Sequence, residues 1–308
     1  MIEERYRHLP SMLFRHAAAA ACAVGGTITL LVYLRRRRRL PKRSAPLAFH
    51  SCHEHRLRSV EGHKYKILVS LPFDYEREPD KAYPMLIALD GEPYLFPLLT
   101  VVARTNHFFA KSYWYPDAIV VGLCADLEQG HALPGGRIDV RALWGNLRPT
   151  RARDYLPTDA ESPWGAPGAP SLRGISGQAD AFVRFLADEL LPFLDERYRT
   201  YGAAGRALIG KSFGGSGVAH AMIDPRASRC FSQFLLGSPS IAWDDGAFFR
   251  LFDERCAAAD ESEGVPPFGA NVLCCYGGEE SSAVQPRLKE VLDRRAGLRG
   301  SVTLQEVR

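Results

Sequence analysis

The sequence predicts an α/β fold in which a mostly parallel central sheet carries helices on both faces. Short apolar runs follow one another at the spacing of βαβ units. One run, residues 118–123, is continuously apolar, as expected of a strand buried on both faces. Another, residues 206–210, leads directly into a glycine-rich turn and the start of a helix. A chain of 308 residues is long enough for one such domain and an N-terminal extension.

The predicted elements follow in order along the chain. The strands are residues 65–72, 85–90, 118–123, 206–210, 231–237, 271–276 and 301–307. Residues 179–198 have apolar side chains at helical spacing, and we expect Pro192 to bend or break this helix. A second helix is expected to open at Ser212. Residues 125–176 are rich in Gly, Pro and Arg, and we expect a long loop there, either a functional lid or a mobile segment.

Residues 1–48 are predicted to form a segment separate from the domain of residues 49–308. Residues 17–34 are uncharged, and as a helix they would extend about 27 Å, just enough for a hydrocarbon core. Arginines follow at 35–39, so the positive-inside rule predicts a single-pass anchor with the domain on the cytoplasmic side. Two alternatives stay open. One is an unusual signal sequence with a periplasmic domain, and the other is a soluble cytoplasmic protein whose translation starts later, for example at Met12.

Charge and cysteine content limit the partners. The net charge is +4, but the basic cluster of residues 35–43 alone exceeds it, so the remainder is slightly acidic. This distribution is not typical of a nucleic-acid-binding protein. The seven cysteines are odd in number and have no metal-like spacing. We therefore expect no nucleic-acid partner, and neither a metal nor another cofactor.

The glycine-rich turn at residues 210–215 reads Gly-Lys-Ser-Phe-Gly-Gly and contains the pattern Gly-x-Ser-x-Gly. In the α/β-hydrolase fold this pattern exposes a nucleophilic serine between a strand and a helix. Because Ser212 would stand at the N-terminal end of a helix, the helix dipole would stabilise negative charge that develops beside it. The sequence therefore predicts an α/β-hydrolase fold with Ser212 as the candidate nucleophile.

An oxyanion hole and an acid are expected around this serine. One oxyanion N–H should come from the residue after the nucleophile, Phe213. The second should come from a loop after an earlier strand, and the N–H of Glu92, just after Asp90-Gly91, is the candidate. The strand of residues 271–276 ends in a glycine turn with two glutamates, at the edge where α/β sheets place ligands. Glu280 is the preferred acid and Glu279 the alternative.

The histidines provide no evident general base. His220 lies eight residues after Ser212 on the same predicted helix, about 12 Å along its axis, whereas a base must come within about 3 Å of the hydroxyl. We therefore expect His220 to be a structural or surface histidine. Four further histidines cluster near the first hairpin without the spacing of a metal site, at positions 50, 53, 55 and 63.

From about residue 49 to residue 307 the chain resembles the putative esterase (esterase D-like) family of α/β-hydrolases, which includes the enterobactin-type siderophore esterases. The stretches that carry the resemblance are residues 67–72, 83–84 leading to 89–91, 151–157 (Arg-Ala-Arg-Asp-Tyr-Leu-Pro), 182–200, the serine turn, and 237–245 (Gly-Ser-Pro-Ser-Ile-Ala-Trp-Asp-Asp). The resemblance implies ester hydrolysis through an acyl-serine at Ser212, with oxyanion N–H groups from Phe213 and Glu92. It also implies that Arg151 and Arg153 lie near the mouth of the site, where they would suit an anionic substrate.

Members of this family have a histidine just after a strand that resembles residues 301–307, and this sequence stops at Arg308. We therefore expect the general base to lie beyond Arg308. The leading hypothesis is a serine esterase that acts on a siderophore or another small ester. The alternatives are an acyltransferase of the same fold and a catalytically inactive, membrane-tethered homologue.

Overall fold

The computed structural model describes residues 51–109, 117–127, 132–133, 137–162, 170–260, 270–277, 287–291, 293 and 302–307. The chain divides into two units, Met1–Ala48 and Phe49–Arg308. The predicted apolar helix at residues 17–34 therefore lies outside the described residues. Among the helices that are described, none is long and apolar enough to cross a membrane.

The main sheet contains eight of the described strands. They are β1 (Cys52–Arg58), β2 (Lys64–Ser70), β3 (Met85–Leu89), β4 (Ile119–Ala125), β7 (Arg206–Lys211), β8 (Gln233–Gly237), β9 (Asn271–Gly277) and β10 (Val302–Val307), with a small ribbon of β5 (Ala132–Leu133) and β6 (Arg137–Ile138) between β4 and β7. The order across the sheet is β1-β2-β4-β3-β7-β8-β9-β10. Strand β2 pairs antiparallel with β1 and β4, and the other pairs are parallel. The mostly parallel sheet expected from the sequence is confirmed.

The helices are α1 (Phe96–Phe109), α2 (Val140–Tyr155), α3 (Ala179–Arg184), α4 (Leu191–Arg197), α5 (Phe213–Ile223) and α6 (Trp243–Asp260). Short π-helical segments, Gly91–Leu95 and Phe185–Leu190, precede α1 and α4. Helix α5 packs on β7 and β8, and it contacts α2, α3 and α6. Every residue of α5 is buried as a result. The segment that follows Ser212 is therefore enclosed by packing from several elements.

The sequence did not predict strand β1. Most of its side chains are polar, and Glu54 and Arg56 face solvent, whereas Leu57 packs against the core. Apolar periodicity is a weak signal for a strand of this kind. Strand β1 is an edge strand that pairs antiparallel with β2, its one partner among the described strands.

The expectation of a long loop at residues 125–176 is wrong for the part that forms α2. Leu143, Leu147 and Tyr155 of this helix are buried at multiples of one turn. Gly145 and Pro149, both of low helix propensity, concealed this pattern in the sequence. Packing against α3 and α5 stabilises the helix despite its composition.

Pro192 does not break the helix, one of the two expected effects, because the chain stays helical through it; a bend at Pro192 stays a prediction. Proline donates no N–H, and its ring approaches the carbonyl of the residue four positions earlier, Asp188. The π-helical segment Phe185–Leu190 contains Asp188 and leads directly into α4. We attribute the continuity of the helix to this wider segment, which accommodates the proline.

Candidate active site

Ser212 lies between the end of β7 and the first residue of α5, in a backbone conformation that few non-glycine residues adopt. Its φ and ψ are 56° and −122°. Its N–H donates to the carbonyl oxygen of Gly237 at 2.9 Å, and its own carbonyl accepts from Ser216 at 3.0 Å and from Ser240 at 3.2 Å. Strain of this kind persists only where the surroundings hold it, and it is concentrated at functional sites. The geometry is that of a strand–turn–helix which presents a serine side chain at its tip.

Gly210, the first residue of the turn, is a glycine because the backbones of β7 and α5 approach each other closely there. A Cβ on Gly210 would lie 2.3 Å from the carbonyl oxygen of Gly214. The backbone at Gly210 belongs to the strand and the Gly214 carbonyl to the helix, so neither can move without shifting its whole element. Only glycine at position 210 therefore lets α5 start this close to β7.

The loop after β3 lies next to this turn, because β3 and β7 are neighbours in the sheet and run parallel. Asp90 adopts a left-handed conformation (φ 54°, ψ 43°), and Glu92 is extended (φ −97°, ψ 147°). A Cβ on Gly214 would lie 2.9 Å from Oδ2 of Asp90. The structure thus brings together the two segments that contain the predicted oxyanion donors, Phe213 and Glu92.

Asp90 is held in this position by an arginine and a tyrosine from α2. The Nε of Arg151 donates to Oδ1 of Asp90 at 2.8 Å, and the backbone N–H of Asp90 donates to the Tyr155 hydroxyl at 3.4 Å. Both charged side chains are largely buried, 13% exposed for Arg151 and 11% for Asp90. Burial raises the pKa of the Asp90 carboxyl, and the charge of Arg151 acts in the opposite direction.

Arg151 also contacts the serine turn itself. Its guanidinium carbon lies 5.4 Å from the centre of the Phe213 ring, and its Nη2 donates to the carbonyl oxygen of Lys211 at 3.4 Å. A cation over an aromatic face at this distance is attractive. One side chain of α2 therefore links the loop after β3 with both residues that flank Ser212.

A second ion pair and a glycine contact hold the other side of the same loop. Lys66 of β2 pairs with the Glu92 carboxylate. A Cβ on Gly91 would lie 2.5 Å from Cα of Gly122 in β4, so this part of the loop lies directly on the neighbouring strand. The backbone N–H of Glu92 is thus attached to a segment that is held by both charge and packing.

The two arginines predicted at the mouth of the site are both engaged with carboxylates. Arg151 pairs with Asp90 as described, and Arg153 donates to Asp154 at 2.7 and 3.0 Å. Burial raises the pKa of Asp154, and Arg153 opposes this shift. Direct contact of either arginine with a substrate stays a prediction. The structure gives Arg151 a further contact that the sequence did not indicate, the one with Asp90.

The predicted acids, Glu279 and Glu280, lie outside the described residues. Strand β9, which leads to them, ends at Gly277 and runs parallel to β8, itself the neighbour of β7. The carboxyl ends of these strands therefore share an edge with Ser212. The choice between Glu280 and Glu279 stays a prediction.

His220 is a buried histidine with a carboxylate partner, which fits the structural role expected for it. Its side chain is 3% exposed, and Nε2 lies 2.6 Å from Oδ1 of Asp180 in α3. Arg255 of α6 donates to the same oxygen at 2.6 Å. The bond to His220 is the largest effect that lowers the pKa of Asp180. In the described part of the chain, no group of three or more His, Cys, Asp or Glu side chains could hold a metal ion.

Sequence reasoning missed the partners of Asp90 and of His220. Arg151 and Asp90 are 61 positions apart, and Asp180 and His220 are 40 positions apart. No local spacing relates such pairs. A weak signal existed in the buried aspartate and histidine themselves, because a polar side chain in a buried segment requires a partner.

Comparison with known proteins supports the same family as the sequence stretches. Residues 155–295 match the model of the family described as Putative esterase. The siderophore triacetylfusarinine C esterase of Aspergillus fumigatus is 27% identical over 204 residues, 66% of this chain and 60% of that protein. The siderophore enterobactin esterase of Emericella nidulans is 34% identical over 147 residues, 46% of this chain and 44% of that protein. The chain thus spans about half the length of these curated relatives.

Solved structures share the fold. The BES protein from Bacillus cereus superposes with a TM-score of 0.65 at 19% identity, covering 86% of this chain and 91% of that one. The siderophore hydrolase EstB from Aspergillus nidulans gives a TM-score of 0.58 at 20% identity, covering 87% and 92%. The strand order and the serine turn are thus those of an α/β-hydrolase fold, and residues 155–295 are similar to the family described as Putative esterase.

Proposed function

We propose that this protein is a serine hydrolase that cleaves carboxylic esters through an acyl intermediate on Ser212. The observation that carries the proposal is the strained Ser212 backbone at the start of α5, beside the loop after β3. Ester hydrolysis requires a nucleophile at a point where an adjacent loop supplies N–H donors to the developing oxyanion. The adjacency of these two segments supports that chemistry at this edge of the sheet.

In the proposed reaction, Ser212 Oγ attacks the carbonyl carbon of the ester, the Ser212 hydroxyl proton is transferred to the leaving alkoxide oxygen, and the alcohol departs. The N–H groups of Phe213 and Glu92 donate to the oxyanion, and the N-terminal end of α5 adds a favourable dipole. Water then hydrolyses the acyl-serine. We assign the acid to Glu280, with Glu279 as the alternative, and substrate contacts to Arg151 and Arg153.

We further propose siderophore esters as the substrate class. Two relatives at 27% and 34% identity are esterases of the siderophores triacetylfusarinine C and enterobactin. A screen of ferric and iron-free siderophores beside simple acyl esters tests this class. Hydrolysis of simple esters alone would restrict the proposal to a general esterase.

The nucleophile is tested by covalent labelling with a fluorophosphonate, followed by mass spectrometry of the labelled peptide. We expect one adduct, on Ser212, and no adduct in Ser212→Ala, which should also lose the ester turnover of the wild-type chain. Ser228→Ala, which changes a serine in the turn after α5, is the matched control and should label normally. Unchanged labelling or turnover in Ser212→Ala would overturn the proposal.

The N-terminal segment is proposed to associate with a membrane through residues 17–34. The support is the uncharged run followed by the arginines at 35–39. We expect the full chain to sediment with membranes until detergent is added, and a variant without residues 1–44 to stay in the supernatant. A full chain that remains in the supernatant without detergent would contradict the anchor.

A further inference from the structure

A small cavity lies between α5, the loop after β8 and the start of α6. Ser216 and His220 of α5 and Ser240 of the loop contribute its polar wall, and Trp243 and Phe248 of α6 contribute apolar wall. Its volume is about 10 Å³. That is room for about one water molecule, and a buried water needs two to four polar partners.

One of the polar groups that line this cavity is a buried atom that requires a partner. The Nδ1 atom of His220 makes no hydrogen bond to any residue that the structure describes, although the residue is only 2% exposed. An unpaired buried nitrogen is costly, so such atoms are nearly always paired with protein or with ordered water. Ser216 and Ser240 line the same cavity, and with Nδ1 their hydroxyls would give a water there three partners.

The cavity is connected to the nucleophile through Ser240. The Ser240 and Ser212 hydroxyl oxygens are 3.5 Å apart. A water that contacts both His220 Nδ1 and Ser240 Oγ would therefore be one side chain away from Ser212 Oγ. His220 cannot reach Ser212 directly along the helix, but this route does not require it to.

The charged groups around His220 decide which of its nitrogens is left for the water. Nε2 faces the Asp180 carboxylate, which only accepts hydrogen bonds, so we place the ring proton on Nε2. Arg255 donates to the same carboxylate oxygen, its Nη2 lies 3.4 Å from Nε2, and its Nη1 lies 3.8 Å from Asp224, just after α5. Nδ1 is therefore the nitrogen that can accept a hydrogen bond from a water in the cavity.

We propose that His220, Ser216 and Ser240 form a buried site for one water molecule, and that this water links the Asp180–His220 pair to Ser212 through the Ser240 hydroxyl. The link to Ser212 rests on the proposed function of that serine. His220 is a positioning residue in this arrangement, because it acts on the nucleophile only through the water and Ser240.

The acceptor nitrogen of His220 sets the direction of the hydrogen-bond chain. Nδ1 accepts from the water, the water accepts from Ser240, and Ser240 accepts from Ser212. The lone pairs of Ser212 Oγ then stay available for attack.

The test is the rate at which a fluorophosphonate labels Ser212 in the full chain at pH 8. His220→Gln retains a donor towards Asp180 and removes Nδ1, and Ser240→Ala breaks the chain at its middle. We expect each to label about threefold to tenfold more slowly, the rate equivalent of one net hydrogen bond. Ser240→Thr keeps the hydroxyl and should restore the wild-type rate, which a purely structural role of Ser240 does not predict. His55→Gln, at a histidine bonded to Tyr198, is the matched control and should label at the wild-type rate.

The outcomes separate the two proposals. Wild-type labelling rates in both His220→Gln and Ser240→Ala would overturn the link, and Ser240→Ala decides the matter if His220→Gln does not fold. A high-resolution crystal structure without a water on Nδ1 would overturn the site itself. If Ser212 is not labelled in any variant, the proposed function fails and the link fails with it. In that case the crystal structure alone tests the water site.

Discussion

Two aspartates contact helix α5, and the protein holds them in opposite ways. Asp90 lies against the start of α5, 11% exposed, with Arg151 as its charged partner. Asp180 is bonded to His220 in the second half of α5, is 63% exposed, and accepts from both His220 and Arg255. Burial raises the pKa of Asp90, whereas the bond to His220 lowers that of Asp180. The same functional group thus responds to its environment in opposite directions.

The two aspartates differ in how strongly the fold depends on their charge. Near the candidate nucleophile, a buried carboxylate fixes the loop after β3, and its ion pair with Arg151 compensates the cost of burial. Near the C-terminal half of α5, the carboxylate remains in contact with water, so the loss of one partner is screened. We therefore expect changes at the first aspartate to be far more damaging than changes at the second.

The largest effect is expected when the Asp90–Arg151 ion pair is broken by replacing the arginine. Arg151→Met leaves Asp90 buried without a countercharge, and we expect a loss of about 3–5 kcal/mol in the free energy of unfolding at pH 7. The loss should shrink as the pH falls, because an Asp90 whose pKa is raised by burial becomes protonated and neutral. Denaturant unfolding at several pH values measures the loss at pH 7 and its decrease at lower pH.

The control for this variant is Arg151→Met combined with Asp90→Asn. The double variant has no buried charge, so it should recover most of the lost stability. If it is as unstable as Arg151→Met alone, the packing of the arginine side chain and not the ion pair holds the loop.

A smaller effect tests whether the same loop also depends on packing. A Cβ on Gly91 would lie 2.5 and 2.7 Å from backbone atoms of Gly122. Gly122 belongs to a strand in the middle of the sheet, which cannot move aside to relieve this clash. Gly91→Ala should therefore cost about 1–3 kcal/mol of unfolding free energy and slow the labelling of Ser212. Gly145→Ala is the control, since nothing lies within 4 Å of its Cβ position in α2. It should gain about 0.5–1 kcal/mol from helix propensity. Equal effects of the two substitutions would contradict this account.

The smallest effect is expected at the exposed aspartate. Asp180→Asn should cost about 1 kcal/mol at neutral pH, because solvent screens the side chain. The folded-state pKa of Asp180 is lowered, so its contribution is complete above the unfolded pKa near 4 and disappears as the pH falls below it. Wild type and variant should therefore converge in stability at acid pH. A difference that grows towards acid pH would show that the carboxylate is not stabilised by His220.

The strands and the serine turn could be predicted because their signals are local. An apolar run at a period of two, or a glycine where two backbones must touch, is visible within a few residues, as at Gly210. Strand β1 and helix α2 could not be predicted in this way. Strand β1 takes its position from its partner β2, and α2 contains Gly145 and Pro149 and forms through tertiary packing.

By itself the sequence determined the α/β character of the domain, the main strands, and a strained strand–serine–helix turn at Ser212. These features follow from side-chain periodicity and backbone sterics, which act between neighbours in the chain. Tertiary packing was needed to bring Asp90 to Arg151, to pair His220 with Asp180, and to form the cavity that His220 and Ser240 line. The reason is physical: the partner of a buried polar group is set by which surfaces the core packing brings together, across 61 and 40 positions of the chain.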